Sequence, residues 1–193
     1  FYEQAAHLYS GGQILASKRW QLNYINEGDK VLYAGAGSGE DVILAAQKGA
    51  QVTVVELAPE MIKKLAKKLE KQGLTESVEL ICGDAFTHDR LDYYDIVAAN
   101  YFLNVFSEPL MTKMLKHLSQ LMLTNGKLMI ADLAPLKGNL IQRALQKIYY
   151  LCAVSAFHLI ANNPFHPIYH YDEFLAAIEM KSIDDKTFPL AGF

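Results

Sequence analysis

The chain has 193 residues, 51% of them hydrophobic and 20% charged, which fits one globular domain and excludes a disordered or fibrous chain. A net charge of −3 gives no general electrostatic attraction to nucleic acid. The two cysteines match no disulfide framework and no metal-ligand spacing, which indicates a reducing compartment and a cytoplasmic location. The longest apolar segment, residues 148–161, is too short and too polar to span a bilayer. We therefore expect no metal, no nucleic-acid partner and no transmembrane segment, with peripheral membrane contact left open.

Apolar runs alternate with helical patterns along the chain, which predicts parallel strands joined by helices. The sequence predicts strands at residues 30–34, 51–56, 77–82, 94–99, 127–133 and, as a terminal sixth strand, 182–190. The predicted helices are residues 40–48, 60–72, 108–123 and 172–180. The lysines of the second of these helices follow helical spacing and indicate a solvated face rather than a binding stripe. The pattern indicates an α/β fold with a mostly parallel sheet.

The turn after the first strand is rich in glycine. Gly35, Gly37 and Gly39 follow the apolar run, and Glu40 and Asp41 open the next helix. Glycine allows a sharp turn and lets a ligand lie against the backbone, so a nucleotide-like ligand is expected at the end of the strand. The dinucleotide fingerprint would place its third glycine at position 40, where this chain has glutamate. Two carboxylates at the helix start also disfavour a pyrophosphate. The pattern favours an adenosine without phosphates.

Two acids follow later strands and are candidates for holding that ligand. Glu56 ends the second predicted strand, seventeen residues after Gly39, where an acid is placed to accept both ribose hydroxyls. The alternative is a solvent-facing glutamate at a strand end. Asp84 follows the third strand beside Gly83, and its alternative is an aspartate that stabilises a turn.

The glycines, the two acids and Asn100 at the end of the fourth strand come in an order that resembles the class I S-adenosylmethionine-dependent methyltransferases. The likeness covers roughly residues 28–133. It implies a doubly wound, Rossmann-like sheet with strand order 3-2-1-4-5, and S-adenosylmethionine as cofactor with S-adenosylhomocysteine as product. The implied cofactor-binding residues are Gly35, Ala36, Gly37, Gly39, Glu56, Leu57, Asp84, Ala85, Phe86, Asn100 and Tyr101.

The resemblance also assigns roles within this set. It implies that Asp84 accepts from the adenine amino group and that the N–H of Ala85 or Phe86 meets a ring nitrogen. It further implies that the segment from Asn100 to Phe102 lies beside the cofactor's amino-acid end, where backbone carbonyls hold the ammonium group and Asn100 and Tyr101 face the substrate. The alternative for this segment is a helix cap and core aromatics. One position departs from the family, which usually carries an acid two residues before the first glycine. Tyr33 stands there, so another group takes over that acid's work or cofactor binding is weaker.

Residues 138–171 are the one long interruption of the strand–helix rhythm, and long insertions in compact domains usually serve function. The domain is expected to run from residue 1 to 193, with cap helices over 1–27, the cofactor core over 28–133 and a substrate lid over 138–171. The alternative for the lid is a structural or dimer-forming helix pair. Substrate contacts are expected from Tyr9, Tyr149, His158 and Tyr169. Candidate catalytic residues are His158, His170 and Tyr101, with a purely structural role as the alternative.

These features predict an enzyme that transfers a methyl group from S-adenosylmethionine to a small or medium, largely apolar acceptor. The sulfonium already activates the methyl group, so the protein mainly supplies alignment and a dry pocket. The chain loosely resembles the branch that methylates quinones, lipid head groups and other small molecules. Two alternatives are an aminopropyl transferase of the same fold and a cofactor-binding protein without catalysis. A monomer or a homodimer is expected.

Overall fold

The computed structural model describes residues 11–133, 139–140 and 168–188. The chain divides into two compact units. The first, called the sheet unit, consists of Lys18–Leu103 and Lys113–Ala131. The second unit consists of Phe1–Ser17, Asn104–Thr112 and Asp132–Phe193.

The sheet unit contains five strands, and every neighbouring pair is parallel. They are β1 (Lys30–Ala34), β2 (Gln51–Glu56), β3 (Val78–Cys82), β4 (Tyr94–Asn100) and β5 (Met122–Ala131). Their order is β3-β2-β1-β4-β5, which confirms the predicted order 3-2-1-4-5. The four central residues of β2 are all buried, as expected for a strand covered on both faces of a parallel sheet.

The helices are α1 (Gln13–Gln21), α2 (Glu40–Gln47), α3 (Pro59–Gln72), α4 (Glu108–Leu121) and α5 (Tyr171–Ala177). As predicted, α2, α3 and α4 each connect two strands, whereas α1 precedes β1 and α5 follows β5. Proline occupies the first turn of α3, and Gly73 ends that helix with a φ of 68°, a left-handed conformation that glycine adopts without strain. Lys63, Lys64, Lys67 and Lys71 are exposed on α3, as expected for a solvated face, whereas Lys68 is half-buried and donates to the carbonyl of Ser38 at 2.7 Å. Within the described residues, no helix is both long and apolar enough to cross a bilayer.

One hydrophobic cluster of the sheet unit lies between one face of the sheet and the helices α2 and α3. Val31 and Tyr33 of β1 face the same side as Val52 and Val54 of β2, because alternate residues of a strand share a face. Against them pack side chains of α2 and α3, namely Val42, Ala45, Ala46, Leu65 and Leu69. This packing holds the carboxyl ends of β1 and β2 side by side.

β5 is longer than predicted and contains an irregularity. It begins at Met122, and its register with β4 shifts between Tyr94 and Ile96. Asn125 and Gly126, which are typical turn residues, lie within it. A Cβ atom on Gly126 would lie 3.0 Å from the carbonyl oxygen of Leu123 and 3.1 Å from that of Asp95, so a larger residue here would force the neighbouring backbone to shift.

The prediction of a sixth strand over residues 182–190 is wrong for residues 182–188, which form no strand. This segment is exposed and carries Asp184, Asp185 and Lys186, so it lacks the alternating apolar residues that would bury one face of a strand. The C-terminal helix also ends earlier than expected, at Ala177. Most of the predicted lid, together with Tyr9, Tyr149 and His158, lies outside the described residues, so those assignments stay predictions.

Gly39 and Gly28 provide a matched test of the turn that precedes α2. Both have a left-handed φ, 72° at Gly39 and 84° at Gly28, but a Cβ on Gly39 would lie 2.5 Å from Leu65 Cδ1 and one on Gly28 meets nothing within 4 Å. We expect Gly28→Ala to lower the free energy of unfolding by about 1–2 kcal/mol, from backbone strain alone. Gly39→Ala should cost roughly 1–3 kcal/mol more because it also overpacks the core. Urea unfolding of both variants checks this, and equal costs would contradict it.

Candidate functional site

The glycine-rich turn joins β1 to α2 within the sheet unit. Gly35, Gly37 and Gly39 all have a positive φ, of 86°, 49° and 72°. A Cβ on Gly35 would lie 3.1 Å from the ring of Phe102, and one on Gly37 would lie 3.3 Å from Lys18 Nζ. Both the backbone conformation and the close neighbours therefore require glycine.

Glu56, at the end of β2, is hydrogen-bonded to this turn. Its Oε2 accepts from the backbone N–H of Ala36 at 2.9 Å, and its Oε1 accepts from the N–H of Ala58 at 2.8 Å. The carboxylate is thus fixed against the loop rather than extended into solvent, which removes the solvent-facing alternative. Each oxygen retains a further lone pair, so the fixed carboxylate can still accept from hydroxyl groups of a ligand. Leu57, next in the chain, is 72% exposed.

Asp84 follows β3 and begins a short 3-10 turn, Ala85–Thr87. Its Oδ1 accepts from the backbone N–H of Phe86 at 2.9 Å. The turn-stabilising role considered from the sequence is therefore present, and the N–H of Phe86 is engaged by it. The side chain is exposed and its second carboxylate oxygen keeps acceptor capacity, so the adenine role stays a prediction.

His117 supports the same turn. Its Nε2 lies 3.0 Å from the carbonyl oxygen of Ala85. A carbonyl can only accept, so Nε2 carries the proton and donates. The His117 ring also faces the Phe86 ring, with centroids 6.1 Å apart. Sequence spacing gave no signal for this contact, because it joins residues 32 positions apart.

A cavity of about 240 Å³ lies beside the Asp84 turn. Among the predicted site residues that the structure describes, only Asp84 borders it. The lining residues are Val55, Ile81, Asp84, Thr87, His88, Asp89 and Arg90. Pockets that enclose a whole ligand usually measure about 300–1,000 Å³, so this cavity can hold only part of a ligand.

Polar side chains beside that cavity are already paired. Arg90 donates to both carboxylate oxygens of Glu79, at 2.5 and 2.6 Å, and this hydrogen bonding holds the pKa of Glu79 below its usual range. His88 Nε2 lies 2.7 Å from the Tyr94 hydroxyl, and burial lowers the pKa of His88. The Arg90–Glu79 pair is well exposed, so it stabilises the fold little.

A buried polar cluster lies behind the glycine-rich turn, and the sequence did not predict it. Lys18 Nζ is 3.3 Å from Asp41 Oδ1, and Asn100 Nδ2 donates to Asp41 Oδ2 at 3.0 Å. Asp41 is 2% exposed and Lys18 6% exposed. The sequence placed Asp41 at the helix start as a charge that disfavours pyrophosphate. In the structure the charge of Asp41 is paired with Lys18. Repulsion of a pyrophosphate at this helix start therefore depends on Glu40, which is exposed.

Tyr33, which stands where the family usually has an acid, contacts the same cluster. Its hydroxyl donates to the backbone carbonyl of Asp41 at 3.3 Å. Burial, and then the Asp41 charge, raise the pKa of Tyr33, so the phenol stays neutral. Tyr33 therefore supplies a hydrogen-bond donor and no negative charge at this position.

Tyr101 follows β4 with an unusual backbone. Its φ is 53°, a left-handed value that is costly for a residue with a side chain. Its N–H donates to the carbonyl of Ala131 at 2.7 Å, which fixes the peptide at the carboxyl ends of β4 and β5. Such strain often marks a functional position, so Tyr101 remains a candidate for cofactor or substrate contact.

The second unit contains a cluster around Asp132, which directly follows β5. Asn104 Nδ2 donates to Asp132 Oδ1 at 2.6 Å, the N–H of Leu133 donates to the same oxygen at 2.7 Å, and the Tyr171 hydroxyl donates to Oδ2. Burial raises the pKa of Asp132 to about 6 against the opposing effect of these three donors. The sequence indicates no site role for Asp132 or Asn104, whereas Tyr171 is the last residue of the predicted lid over residues 138–171.

The remaining predicted residues of the second unit differ in their surroundings. Tyr169 is buried, and its hydroxyl donates to the carbonyl of Phe106 at 2.8 Å. His170 is exposed at the start of α5 and makes no side-chain capping bond. The substrate role of Tyr169 and the catalytic role of His170 stay predictions. Across the part of the chain that the structure describes, no three His, Cys, Asp or Glu side chains form a group that could hold a metal ion.

Comparison with known proteins matches residues 31–126 to a family described as a methyltransferase domain. The protein-L-isoaspartate O-methyltransferase of Methanococcus aeolicus is 41% identical over 63 residues, which cover 31% of this chain and 29% of that protein. The dimethyladenosine transferase of Schizosaccharomyces pombe is 27% identical over 92 residues, covering 48% of this chain and 29% of that protein. The chain thus spans about three tenths of the curated relatives it matches.

Solved structures share the fold at low sequence identity. The YcgJ protein of Bacillus subtilis has a TM-score of 0.65 at 18% identity, covering 84% of this chain and 67% of that chain. A methyltransferase of Geobacter sulfurreducens in complex with S-adenosyl-L-homocysteine has a TM-score of 0.51 at 17% identity, covering 65% and 50% of the two chains.

The raised pKa of Asp132, about 6, predicts a pH-dependent stability. The folded state holds this proton more tightly than the unfolded chain, so its contribution is full below about pH 4 and is lost as pH rises through about 6. Over that pH interval we expect the free energy of unfolding of the wild type to fall by up to about 3 kcal/mol relative to that of Asp132→Asn. Urea unfolding at several pH values measures the difference. The control is Asp172→Asn, which changes an exposed acid. If the unfolding free energy of Asp132→Asn depends on pH in the same way as that of the wild type, the assignment is contradicted.

Proposed function

We propose that this chain binds S-adenosylmethionine and transfers its methyl group to an acceptor. The premise is the match of residues 31–126 to the methyltransferase domain, by which the chain belongs to the class I S-adenosylmethionine-dependent methyltransferase family. The observation that carries the proposal is the hydrogen bond from the Ala36 N–H to Glu56. It fixes a carboxylate beside a glycine-rich turn at the carboxyl edge of a parallel sheet, where ligands of open α/β folds bind.

The topology supports this assignment. β2 is hydrogen-bonded to β1 on one side and to β3 on the other, so the segments after these strands lie at one edge. The glycine-rich turn, Glu56 and Asp84 follow the three strands in turn. In the proposed complex, Glu56 accepts from the ribose hydroxyls with its remaining lone pairs. Asp84 and the Ala85 N–H bind the adenine, and His117 holds that turn in place through the Ala85 carbonyl.

Methyl transfer from a sulfonium needs few catalytic groups. The leaving sulfur becomes a neutral thioether, so no acid has to protonate it, and the main requirements are in-line alignment and exclusion of water. The proposed contribution of this chain is therefore to position the cofactor's methyl group and to shape the acceptor pocket. The strained Tyr101 lies where it could contact either molecule, at the end of β4.

We propose that the acceptor is small or medium and largely apolar. The support is the aromatic composition of the sequence between residues 138 and 171, with Tyr149, Phe157 and Tyr169 among its members, because aromatic walls suit apolar ligands. The curated relatives are named for different acceptors, isoaspartate in one and adenosine in another. Their matches cover only part of each chain, so the acceptor is not transferred from them.

Two further features of the proposal concern the setting of the enzyme. A cytoplasmic location is proposed because Cys82 is an exposed free thiol, which a reducing compartment preserves. A small-molecule acceptor rather than a nucleic acid is proposed from the net charge of −3, because nucleic-acid binding relies on basic surfaces.

Glu56→Ala tests the cofactor site. It should weaken S-adenosylhomocysteine binding by roughly 10- to 100-fold, because charge-assisted hydrogen bonds are worth about 1.5–3 kcal/mol each. Isothermal titration calorimetry measures the affinity. The control is Glu60→Gln, which changes an exposed acid in the first turn of α3 and should leave affinity within about twofold. Unchanged affinity in Glu56→Ala would remove Glu56 from the site.

The transfer reaction is tested by incubating the protein with labelled S-adenosylmethionine and a panel of phenolic, quinone-like, amine and lipid acceptors. We expect label to enter an apolar acceptor, and Tyr149→Ala or His158→Ala to reduce that turnover with little change in cofactor affinity. Cofactor binding without turnover of any acceptor would favour a binding protein without catalysis. Transfer of an aminopropyl group from the decarboxylated cofactor would favour the other alternative.

A further inference from the structure

A lysine of α3 contacts the backbone of the glycine-rich turn. Lys68 Nζ donates to the carbonyl oxygen of Ser38 at 2.7 Å. The other lysines of α3 are exposed, whereas Lys68 is half-buried. Fixing a lysine side chain costs much of its rotamer freedom, and a hydrogen bond from a charged donor is among the stronger ones in proteins. This contact is therefore a specific link between α3 and the turn.

The link complements a hydrogen bond on the other side of Gly37. Glu56 accepts from the N–H of Ala36 at 2.9 Å, and Lys68 donates to the carbonyl of Ser38. A carboxylate thus holds a backbone donor and an ammonium holds a backbone acceptor. Gly37, between these two residues, is exposed. The turn is therefore held at both flanks and accessible at its centre.

The same side of α3 also makes an apolar contact with the turn. A Cβ on Gly39 would lie 2.5 Å from Leu65 Cδ1, and Leu65 lies three residues before Lys68, so the two side chains are neighbours on the helix surface. Glycine loses more conformational freedom on folding than any other residue. A turn with three glycines in five residues needs support of this kind to keep one conformation.

Holding the turn has a consequence for binding. A loop that is ordered before its ligand arrives spends less of the binding free energy on its own ordering. If only a fraction of the molecules has the conformation that binds, the apparent affinity falls in proportion to that fraction. A residue that holds the turn can therefore raise ligand affinity without touching the ligand.

We propose that Lys68 is a positioning residue for the cofactor, which keeps the glycine-rich turn in its binding conformation by holding the Ser38 carbonyl. This inference rests on the proposed function, since the turn is where that cofactor binds. The competing explanation is a hydrogen bond that stabilises the fold and leaves the conformation of the turn unchanged.

Three variants of α3 separate the two explanations. Lys68→Met keeps the length and the apolar stem but removes the donor, Lys68→Arg keeps a charged donor, and Lys64→Met removes an exposed charge one helical turn earlier. Isothermal titration calorimetry with S-adenosylhomocysteine, at a temperature where every variant is folded, measures affinity. Lys68→Met should bind roughly five- to tenfold more weakly, a factor that one hydrogen bond supplies. Lys68→Arg and Lys64→Met should stay within about twofold of wild type.

A second measurement follows the turn itself. In the ligand-free protein, NMR relaxation of the Gly37 and Gly39 amides should give lower order parameters in Lys68→Met than in wild type, because the turn has lost one anchor. Saturating S-adenosylhomocysteine should return them to wild-type values, because the ligand then holds the turn. A bond that only stabilises the fold would produce neither change.

Each outcome of these measurements has a distinct meaning. If Lys68→Met binds as tightly as wild type, or loses affinity while the order parameters stay unchanged, the inference is overturned and the proposed function stands. Equal losses in Lys64→Met and Lys68→Met also overturn it, because the charge of the helix would then be the cause. If wild type does not bind S-adenosylhomocysteine, the proposed function fails.

Discussion

The left-handed backbone of the glycine-rich turn is the constraint on which the candidate site depends. Three positive φ values in five residues fold the chain back at the end of β1 and direct the Ala36 N–H toward Glu56. A residue with a Cβ at position 39 would meet Leu65 of α3, so the same turn also sets how closely α2 and α3 approach. The geometry of the ligand edge and the packing of the core therefore depend on the same glycines.

The sequence predicted most of the sheet unit because its signals are local. β1 and β2 begin and end where the apolar and β-branched runs predict, and α2 and α3 match to within a residue at each end. The errors occur where a local signal misleads. Asn125 and Gly126 are typical of a turn, yet pairing with β4 draws them into β5 as a bulge. Residues 182–188 contain apolar side chains but no alternation, and they form no strand.

The polar contacts of the site were harder to predict because they join distant positions. Glu56 was identified by its place after β2, but its bond to Ala36 spans 20 residues. The Asn100–Asp41 bond spans 59 residues, and the Tyr171–Asp132 bond spans 39. No spacing rule reveals such pairs. From the local sequence, Asp41 is only an acid in the first turn of a helix. Lys18 carries no sequence signal of its pairing, because its partner lies on another helix.

The start of α2 carries two acids with different surroundings. Asp41 is buried and paired with Lys18 and Asn100, whereas Glu40 is exposed. A negative charge that already has a cationic partner repels an incoming anion less than an unpaired one does. Repulsion of a pyrophosphate at this helix start therefore comes mainly from Glu40, and it acts together with the missing third glycine.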